Sequence, residues 1–188
     1  KTAAFVVDRL QAMGIEVHTG MARTGVVGLI EGRPGNRRIG LRADMDALPM
    51  EELGQPAWKS QSPGRFHGCG HDGHTVMLLA AAEYLARTRA FDGAVVLIFQ
   101  PAEEGLGGGR VMVEEGLFDR FPCDEIYALH NMPLLPVGQA AVRIGAALAS
   151  FDRFDVTITG RGGHAAMPHR TIDPAIVMSQ MVLALQAL

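Results

Sequence analysis

The chain has 188 residues, 48% of them hydrophobic and 20% charged, and a mean hydropathy of +0.14. Such a composition is typical of a folded protein and excludes one that is mainly disordered. The 17 Lys and Arg against 20 Asp and Glu give a formal net charge of -3 without a basic block, so no nucleic acid or anionic membrane is expected as a partner. No apolar stretch approaches the roughly 20 residues that a membrane span requires.

The cysteines indicate the cellular compartment of the protein, and the two ends of the chain indicate whether it is a fragment. Cys69 and Cys123 are too few for a disulfide framework, which favours a reducing compartment, and the N-terminus has no signal-peptide pattern. A cytoplasmic location is therefore expected. Lys1 leads directly into a helical pattern and Leu188 interrupts another, so we expect the chain to be a fragment of a longer protein.

The N-terminal part predicts a helix followed by two strands. Residues 2–13 carry apolar side chains at helical spacing, and Gly14 follows as a C-terminal stop. Residues 26–31 and 38–42 are rich in β-formers and flank a cluster of turn residues at 32–36. This order predicts a β-hairpin.

Helical and apolar segments then alternate along the chain. We predict a helix over residues 74–89, a buried strand over 95–99, a loop over 105–109, a helix over 110–115 and a short strand over 125–129. Helices that alternate with apolar strands indicate an α/β layer architecture with a largely buried sheet.

The pattern changes near Gly145. Apolar and polar residues alternate over residues 154–159, which predicts a strand of an antiparallel sheet with one wet face. After a glycine-rich loop, Asp173 as N-cap and Pro174 at the first helical position begin a helix. We therefore predict two domains, residues 1–145 and residues 146–188, the second holding one strand–loop–helix unit.

The densest chemical signal is the segment from His67 to His74, which holds three histidines and a cysteine among glycines. Thiolate and imidazole bind zinc-like divalent ions, and a carboxylate such as Asp72 can orient an imidazole from behind. An isolated His or Cys is more often structural, but this concentration would make an odd core. The segment therefore predicts a metal site.

Two adjacent carboxylates, Glu103 and Glu104, follow the predicted buried strand at the edge of the sheet where α/β proteins place their ligands. If one carboxylate binds an ion, the free one can take a proton from a water that the ion activates. Two glutamates solvated in a loop are at least as compatible with this motif alone.

Further N and O donors follow two other predicted strands. His130 ends the strand 125–129, and Asp44 and Asp46 lie beyond the strand 38–42. Singly, His130 is as compatible with a packed core histidine as with a ligand, and the aspartates can merely cap a turn. Their common position at strand ends favours two divalent ions at one edge of the sheet, and metal-assisted hydrolysis as the reaction class.

The segment 162–169 carries His164 and His169 in the predicted second domain. An imidazole there can stabilise an oxyanion across a domain or subunit boundary, but a surface loop with incidental histidines is the simpler interpretation of these residues alone. A serine hydrolase is not supported, because the chain has no Gly-x-Ser-x-Gly segment.

Five ordered segments, residues 41–50, 67–74, 99–105, 128–131 and 163–169, carry a resemblance that covers nearly the whole chain. They resemble the metal-dependent amidohydrolase and carboxypeptidase family of aminoacylases, hippurate hydrolase and indole-acetyl-amino-acid hydrolases. The Cys-Gly-His-Asp form of the second segment and the Arg-Ala-Asp-Met-Asp form of the first point to the hippurate hydrolase and auxin-conjugate hydrolase branch.

The resemblance implies roles position by position. The implied metal ligands are Cys69, His71, Glu104 and His130, and Asp46 is an implied supporting residue. Glu103 is implied as the general base, which passes the proton of the water to the leaving amine. His164 matches the histidine that the dimerisation domain of this family offers to the scissile carbonyl, often from the partner subunit.

The resemblance also implies an α/β catalytic domain, a sheet sandwiched by helices with two divalent ions, and a small ferredoxin-like lid domain that mediates homodimerisation. Mixed S, N and O ligands suit zinc or manganese, and cobalt or nickel as well. Family members are longer than this chain, and their C-terminal half brings a further ligand histidine. We therefore expect these 188 residues alone to bind metal weakly and to turn over poorly.

The expected reaction is hydrolysis of the amide bond of an N-acyl amino acid by a metal-activated water. A metallo-dipeptidase or carboxypeptidase is the alternative within enzymes, because dipeptides and N-acyl amino acids share an amide beside a free carboxylate. A non-catalytic metal-binding or dimerisation module is the alternative from another class.

Overall fold

The computed structural model describes residues 1–148 and 152–187, which form two compact units, Lys1–Val137 and Gly138–Leu188. The first unit contains a five-stranded sheet and five helices within the described residues. In chain order its elements are α1 (Thr2–Ala12), β1 (Glu16–Thr19), β2 (Val26–Glu31), β3 (Arg33–Asp44), α2 (His71–Thr88), β4 (Asp92–Gln100), α3 (Glu103–Leu106), α4 (Gly108–Glu114), α5 (Leu117–Arg120) and β5 (Glu125–Ala128).

The sheet has the strand order β1-β2-β4-β3-β5. β1 pairs antiparallel with β2 and β2 with β4, whereas β3 runs parallel to both β4 and β5. The predicted hairpin is wrong, because β4 lies between β2 and β3. Phe99 of β4 pairs with Val26 on one side and with Ala43 on the other.

The connection from β2 to β3 explains why the hairpin does not form. The backbone N–H of Gly32 donates to Gly93, and that of Arg33 donates to Phe91, each at 2.8 Å. The chain thus crosses the start of β4 at this point, and a Cβ on Gly32 would lie 2.7 Å from the ring of Phe91. The turn residues correctly predicted that the chain reverses direction between β2 and β3. Local composition does not report that β4 pairs between these two strands.

Two apolar clusters cover the two faces of the sheet. Residues of α1 and α2, among them Leu10 and Leu79, pack with Leu97 on one face. Residues of α4 and α5, among them Met112, pack with Val96 on the other face. Successive residues of β4 point to opposite faces, and both sets are buried. The predicted α/β fold, with helices on both faces of the sheet, is confirmed.

Parallel pairing of β3, β4 and β5 places their carboxyl ends at the same edge of the sheet. Asp44 ends β3 and Gln100 ends β4 as paired residues, and Arg42 pairs with Ala128 at the end of β5. β5 is one of the two edge strands, and its four residues are exposed. The loops after these three strands therefore start next to one another, which positions the candidate site.

The second unit matches the sequence prediction only in its helix. α6 spans Pro174–Leu185, and the Asp173 side chain accepts from the N–H of Ala175 at 2.9 Å, as an N-cap does. The strand predicted over residues 154–159 is not formed. Residues 152–160 have no regular structure, and within the described residues no segment pairs with them, as a strand requires. The ferredoxin-like lid stays a prediction.

Candidate metal centre

The N-terminus of α2 meets the loops that follow β3, β4 and β5 at the carboxyl edge of the sheet. The sequence-predicted residues that come together there are Asp44, Asp46, Cys69, His71, Glu103, Glu104 and His130. Ligand atoms lie within 4.8 Å of one another in each of three overlapping sets, Cys69 with His71 and His130, Asp44 with His71 and His74, and His71 with Glu103 and Glu104.

Cys69 and His130 face each other across the centre, with the Cys69 Sγ and His130 Nε2 atoms 3.5 Å apart. With bond lengths of about 2.3 Å to sulfur and 2.0 Å to nitrogen at a tetrahedral ion, two such ligands lie about 3.5 Å apart. The other ring nitrogen of His130, Nδ1, donates to the carbonyl of Asn131 at 2.8 Å. Nε2 is therefore the nitrogen that is left to bind an ion.

His71 gives the clearest sign of a missing partner. Its side chain is 1% exposed, and its Nδ1 donates to the backbone carbonyl of Asp46 at 2.9 Å. Its Nε2 is buried and has no hydrogen-bond partner among the residues that the structure describes. Because such an atom costs about 1–3 kcal/mol when unpaired, a ligand at Nε2 is expected.

Both glutamates approach the same nitrogen, Glu103 Oε2 at 3.9 Å and Glu104 Oε1 at 3.8 Å from His71 Nε2. The Asp46 carboxylate accepts from their backbone N–H groups, at 3.0 Å for Glu103 and 3.1 Å for Glu104. Ala102 precedes them in the left-handed region at φ 53, which turns the chain sharply after β4. Asp46 thereby holds the backbone from which both carboxylates project.

A buried hydrogen-bond chain supports the centre from behind. Asp44 receives a hydrogen bond from His74 Nδ1 at 2.6 Å and an ion pair from Arg42 at 2.9 Å. Burial would raise the pKa of Asp44, but the hydrogen bond from His74 and the charges of Arg42, His71 and His74 outweigh it and hold the pKa below its ordinary value.

The charges around Cys69 favour a cation. Burial, and then the carboxylates of Glu104, Glu103 and Asp44, raise the pKa of its thiol to about 11. A divalent ion among these groups would instead favour the thiolate. Thiolate, imidazole and carboxylate donors, with an unpaired buried nitrogen between them, therefore fit one or two divalent ions.

One predicted site residue is not part of the first unit. His164 belongs to the second unit, where it is exposed and its Nδ1 accepts from the N–H of Ala166 at 3.2 Å. Two residues support the centre without a role assigned from the sequence: the buried His74, which the predicted metal segment included, and the exposed Asn131. Their signal was available in part, because His71 and His74 stand three positions apart and so share one face of a helix.

A mixed sheet covered by helices, with thiolate, imidazole and carboxylate donors at the carboxyl ends of its parallel strands, is typical of metal-dependent hydrolases. The comparison with protein families agrees with this class. Residues 40–187 match peptidase family M20/M25/M40, and the chain belongs to that family.

Named relatives and a solved structure support the assignment. The chain is 44% identical over 187 residues to a hippurate hydrolase of Campylobacter jejuni, covering 100% of this chain and 49% of the relative. It is 46% identical over 190 residues to the IAA-amino acid hydrolase ILR1-like 2 of Arabidopsis thaliana, covering 100% of this chain and 42% of the relative. The chain thus spans about half the length of these relatives.

One structural relative is the YXEP protein of Bacillus subtilis, described as a dinuclear metal-binding peptidase from the M20 family. It superposes with a TM-score of 0.68 and 38% sequence identity, over 73% of this chain and 38% of that one. Among residues 1–148 and 152–187, no helix is both long enough and apolar enough to cross a membrane.

Proposed function

We propose that the chain supplies most of a dinuclear metal centre that hydrolyses the amide bond of N-acyl amino acids. The observation that carries the proposal is the unpaired, buried Nε2 of His71, which lies among the Cys69 thiol, the His130 imidazole and two carboxylates. A divalent cation would give this buried nitrogen a partner and would offset the negative charge of the donors around it.

The contacts support the following roles. Cys69, His71, Glu104 and His130 would hold the ions, which when bound lower the pKa of a water and polarise the scissile carbonyl. Glu103, whose side chain is 43% exposed against 31% for Glu104, is the carboxylate with more room to face substrate. It takes the proton of the attacking water and delivers it to the leaving amine.

The substrate class is supported by the names of the relatives. Hippurate hydrolase and the IAA-amino acid hydrolase are both named for substrates in which an acyl group is joined to an amino acid. We propose zinc or manganese as the ions, with cobalt or nickel as substitutes, because the donor set mixes S, N and O ligands.

The organisation of the whole protein is part of the same proposal. Residues 1–145 form the catalytic domain, and residues 146–188 begin a ferredoxin-like lid through which two subunits dimerise. His164 then reaches the scissile carbonyl from the lid of a partner subunit and stabilises the oxyanion. Two free cysteines fit a reducing, cytoplasmic setting.

The decisive experiment compares Glu103→Gln with Glu104→Gln in the complete gene product. Glu103→Gln is expected to retain its metal and to lose about 10²–10⁴-fold in hydrolysis of hippurate. Glu104→Gln, its neighbour on the same turn, is expected to lose metal as well. Equal metal content and equal activity in both variants and the wild type would contradict the proposal and support a non-catalytic module.

A substrate panel separates the amidohydrolase from a peptidase. Hippurate, N-acetyl amino acids and indole-acetyl amino acids are compared with dipeptides that carry the same C-terminal residue. We expect higher kcat/KM on the acyl amino acids. A uniform preference for the dipeptides would favour the metallo-dipeptidase or carboxypeptidase instead.

A further inference from the structure

The loop that carries His130 has little regular structure to hold it. β5, which precedes it, is a four-residue edge strand, and all of its residues are exposed. Its last sheet pairing, between Arg42 and Ala128, lies two residues before His130. His130 is itself exposed, so something beyond the sheet must keep its Nε2 at 3.5 Å from the Cys69 sulfur.

The neighbouring residue, Asn131, makes the contacts that can do this. Its backbone N–H donates to His74 Nε2 at 3.0 Å, and its side-chain amide lies against the same nitrogen. Its Nδ2 donates to the carbonyl of Gly70 at 3.3 Å. Its own carbonyl accepts from His130 Nδ1 at 2.8 Å. Asn131 therefore joins the His130 loop to the start of α2 and also orients the His130 ring.

Two glycines make room for the Asn131 side chain. A Cβ on Gly70 would lie 2.6 Å from Asn131 Oδ1, which is an overlap, and a Cβ on Gly73 would lie 3.0 Å from Nδ2. Gly70 also has φ +83, which L-residues rarely adopt. The two glycines among the donor residues thus form a seat for the amide.

The partner of Asn131 is rigid. His74 is 2% exposed, donates from Nδ1 to Asp44, and stands in the first turn of α2. Asp44 is in turn paired with Arg42 at 2.9 Å and accepts at its backbone carbonyl from Thr75 Oγ1 at 3.2 Å. A hydrogen bond to this buried network holds the loop around Asn131 in a fixed position, whereas a hydrogen bond to a mobile surface side chain would not.

We infer that Asn131 is a positioning residue, which seats between Gly70 and Gly73 and holds His130 opposite Cys69. The inference rests on the proposed metal centre and adds to it a residue that touches neither ion nor substrate. Asn131→Ala keeps the backbone carbonyl that orients the His130 ring and removes the side chain that joins this loop to Gly70. Loss of a residue that supports a ligand typically changes metal affinity by about 10–100-fold.

The first test is a cobalt(II) titration of Asn131→Ala in the complete gene product, followed by absorption spectroscopy. We expect about 10–100-fold weaker cobalt binding and, at saturation, a changed ligand-field spectrum, because His130 no longer sits opposite the thiolate. Asn36→Ala, which removes an amide from an exposed position, is the matched control and should behave as wild type. Wild-type affinity and spectrum in Asn131→Ala would overturn the inference.

The second test fills the space between the two glycines and keeps Asn131 in the sequence. Gly73→Ala is expected to weaken cobalt binding although alanine favours the helix over glycine, because its Cβ displaces the Asn131 amide. In Gly73→Ala/Asn131→Ala the clash is gone, so the double variant should bind no more weakly than Asn131→Ala alone. Additive losses, or no loss in Gly73→Ala, would overturn the inference.

Two further readouts keep this inference separate from the proposed function. The wild type, both single variants and the double variant are also unfolded with urea in the absence of metal. The shifts of the urea midpoint in the two single variants should not add up to the shift in the double variant, which tests the contact without any ion. If the wild type gives no thiolate-to-cobalt band, the metal centre itself is wrong and the inference falls with it. If the wild type gives the band and Asn131→Ala matches it, only the positioning role is wrong.

Discussion

The carboxylate of Asp44 accepts a hydrogen bond from Nδ1 of His74 at 2.6 Å, and both side chains are almost completely buried. The pair fixes which nitrogen of His74 carries the proton, and it ties the end of β3 to the first turn of α2. His71 lies in that first turn and Cys69 lies just before it, whereas Asp46, which accepts from the backbone of Glu103 and Glu104, follows β3. The geometry of the centre therefore depends on a contact that includes none of its proposed ligands.

Asp44→Asn is expected to destabilise the metal-free chain by about 2 kcal/mol at pH 7, because a charge-assisted hydrogen bond becomes a neutral one. The folded protein holds the pKa of Asp44 below its ordinary value of 3.8. The contribution is therefore complete above that value and is lost as the pH falls through the lower, folded pKa.

Urea unfolding of the two chains at pH 7, 5 and 3, with chelator present, measures this difference. The gap should be the same at pH 7 and pH 5 and should shrink at pH 3. The exposed Asp8→Asn serves as control and should give no gap. A gap of equal size at pH 3 and pH 7 would show that the charge of Asp44 does not matter.

Asp46→Ala is expected to lower metal affinity about 10–100-fold, because Asp46 accepts from the backbone of both Glu103 and Glu104. Asp46→Asn keeps one acceptor oxygen and should fall between Ala and wild type. Isothermal titration with zinc or manganese measures the affinities, with the exposed Asp119→Ala as control. Equal affinity in the wild type and Asp46→Ala would mean that the two N–H groups do not position the carboxylates.

The thiol of Cys69 should be slow to alkylate in metal-free protein. With a pKa of about 11, only about a thousandth of it is thiolate at pH 8, and the rate should rise about tenfold per pH unit up to pH 10. Glu104→Gln removes one of the carboxylates that raise this pKa and should speed the reaction. Iodoacetamide labelling in a Cys123→Ser background measures the rate, and a plateau below pH 9 would contradict the raised pKa.

Gly32→Ala tests the strand order. A Cβ at residue 32 would lie 2.7 Å from the ring of Phe91 at the start of β4, so we expect a loss of about 1–3 kcal/mol in the free energy of unfolding. Gly162, where a Cβ would meet no atom within 4 Å, offers a matched Gly162→Ala control. In the predicted hairpin, residue 32 would be an open turn position, and Gly32→Ala would then be harmless.

Segments whose structure is decided by their own residues were predicted well from the sequence. The periodicity of α1, the apolar run of β4 and the Asp173–Pro174 start of α6 all correspond to observed elements. Pairing was not predictable in the same way. The reversal of direction between β2 and β3 was recognised, but residues 33–36 lie in β3 and not in a turn, and the choice of β4 as neighbour depends on residues far along the chain.

The strand predicted over residues 154–159 failed for a related reason. Alternation describes a face that can be buried, but a strand forms only when another segment pairs with it. Within the described residues, only Arg161 and Ile172 pair in that region. A pattern alone therefore predicts the capacity for a strand and not the strand itself.

The candidate site likewise has features that the local sequence predicts and features that depend on packing. Donor residues that follow strands could be found from the sequence, because parallel strands place their ends together, and their roles remain predictions. The pairing of His74 with Asp44, and the seat of Asn131 between two glycines, depend on the rotation of α2 against the sheet. No local pattern reports that rotation.

Metal content per chain tests the proposed centre most directly, measured by native mass spectrometry on the complete gene product and its Cys69→Ser variant after exposure to zinc or manganese. The wild type is expected to retain divalent metal, up to about two ions, and Cys69→Ser is expected to retain less under the same conditions. Equal metal content in the two proteins, or a wild type that retains none at any metal concentration, would contradict it.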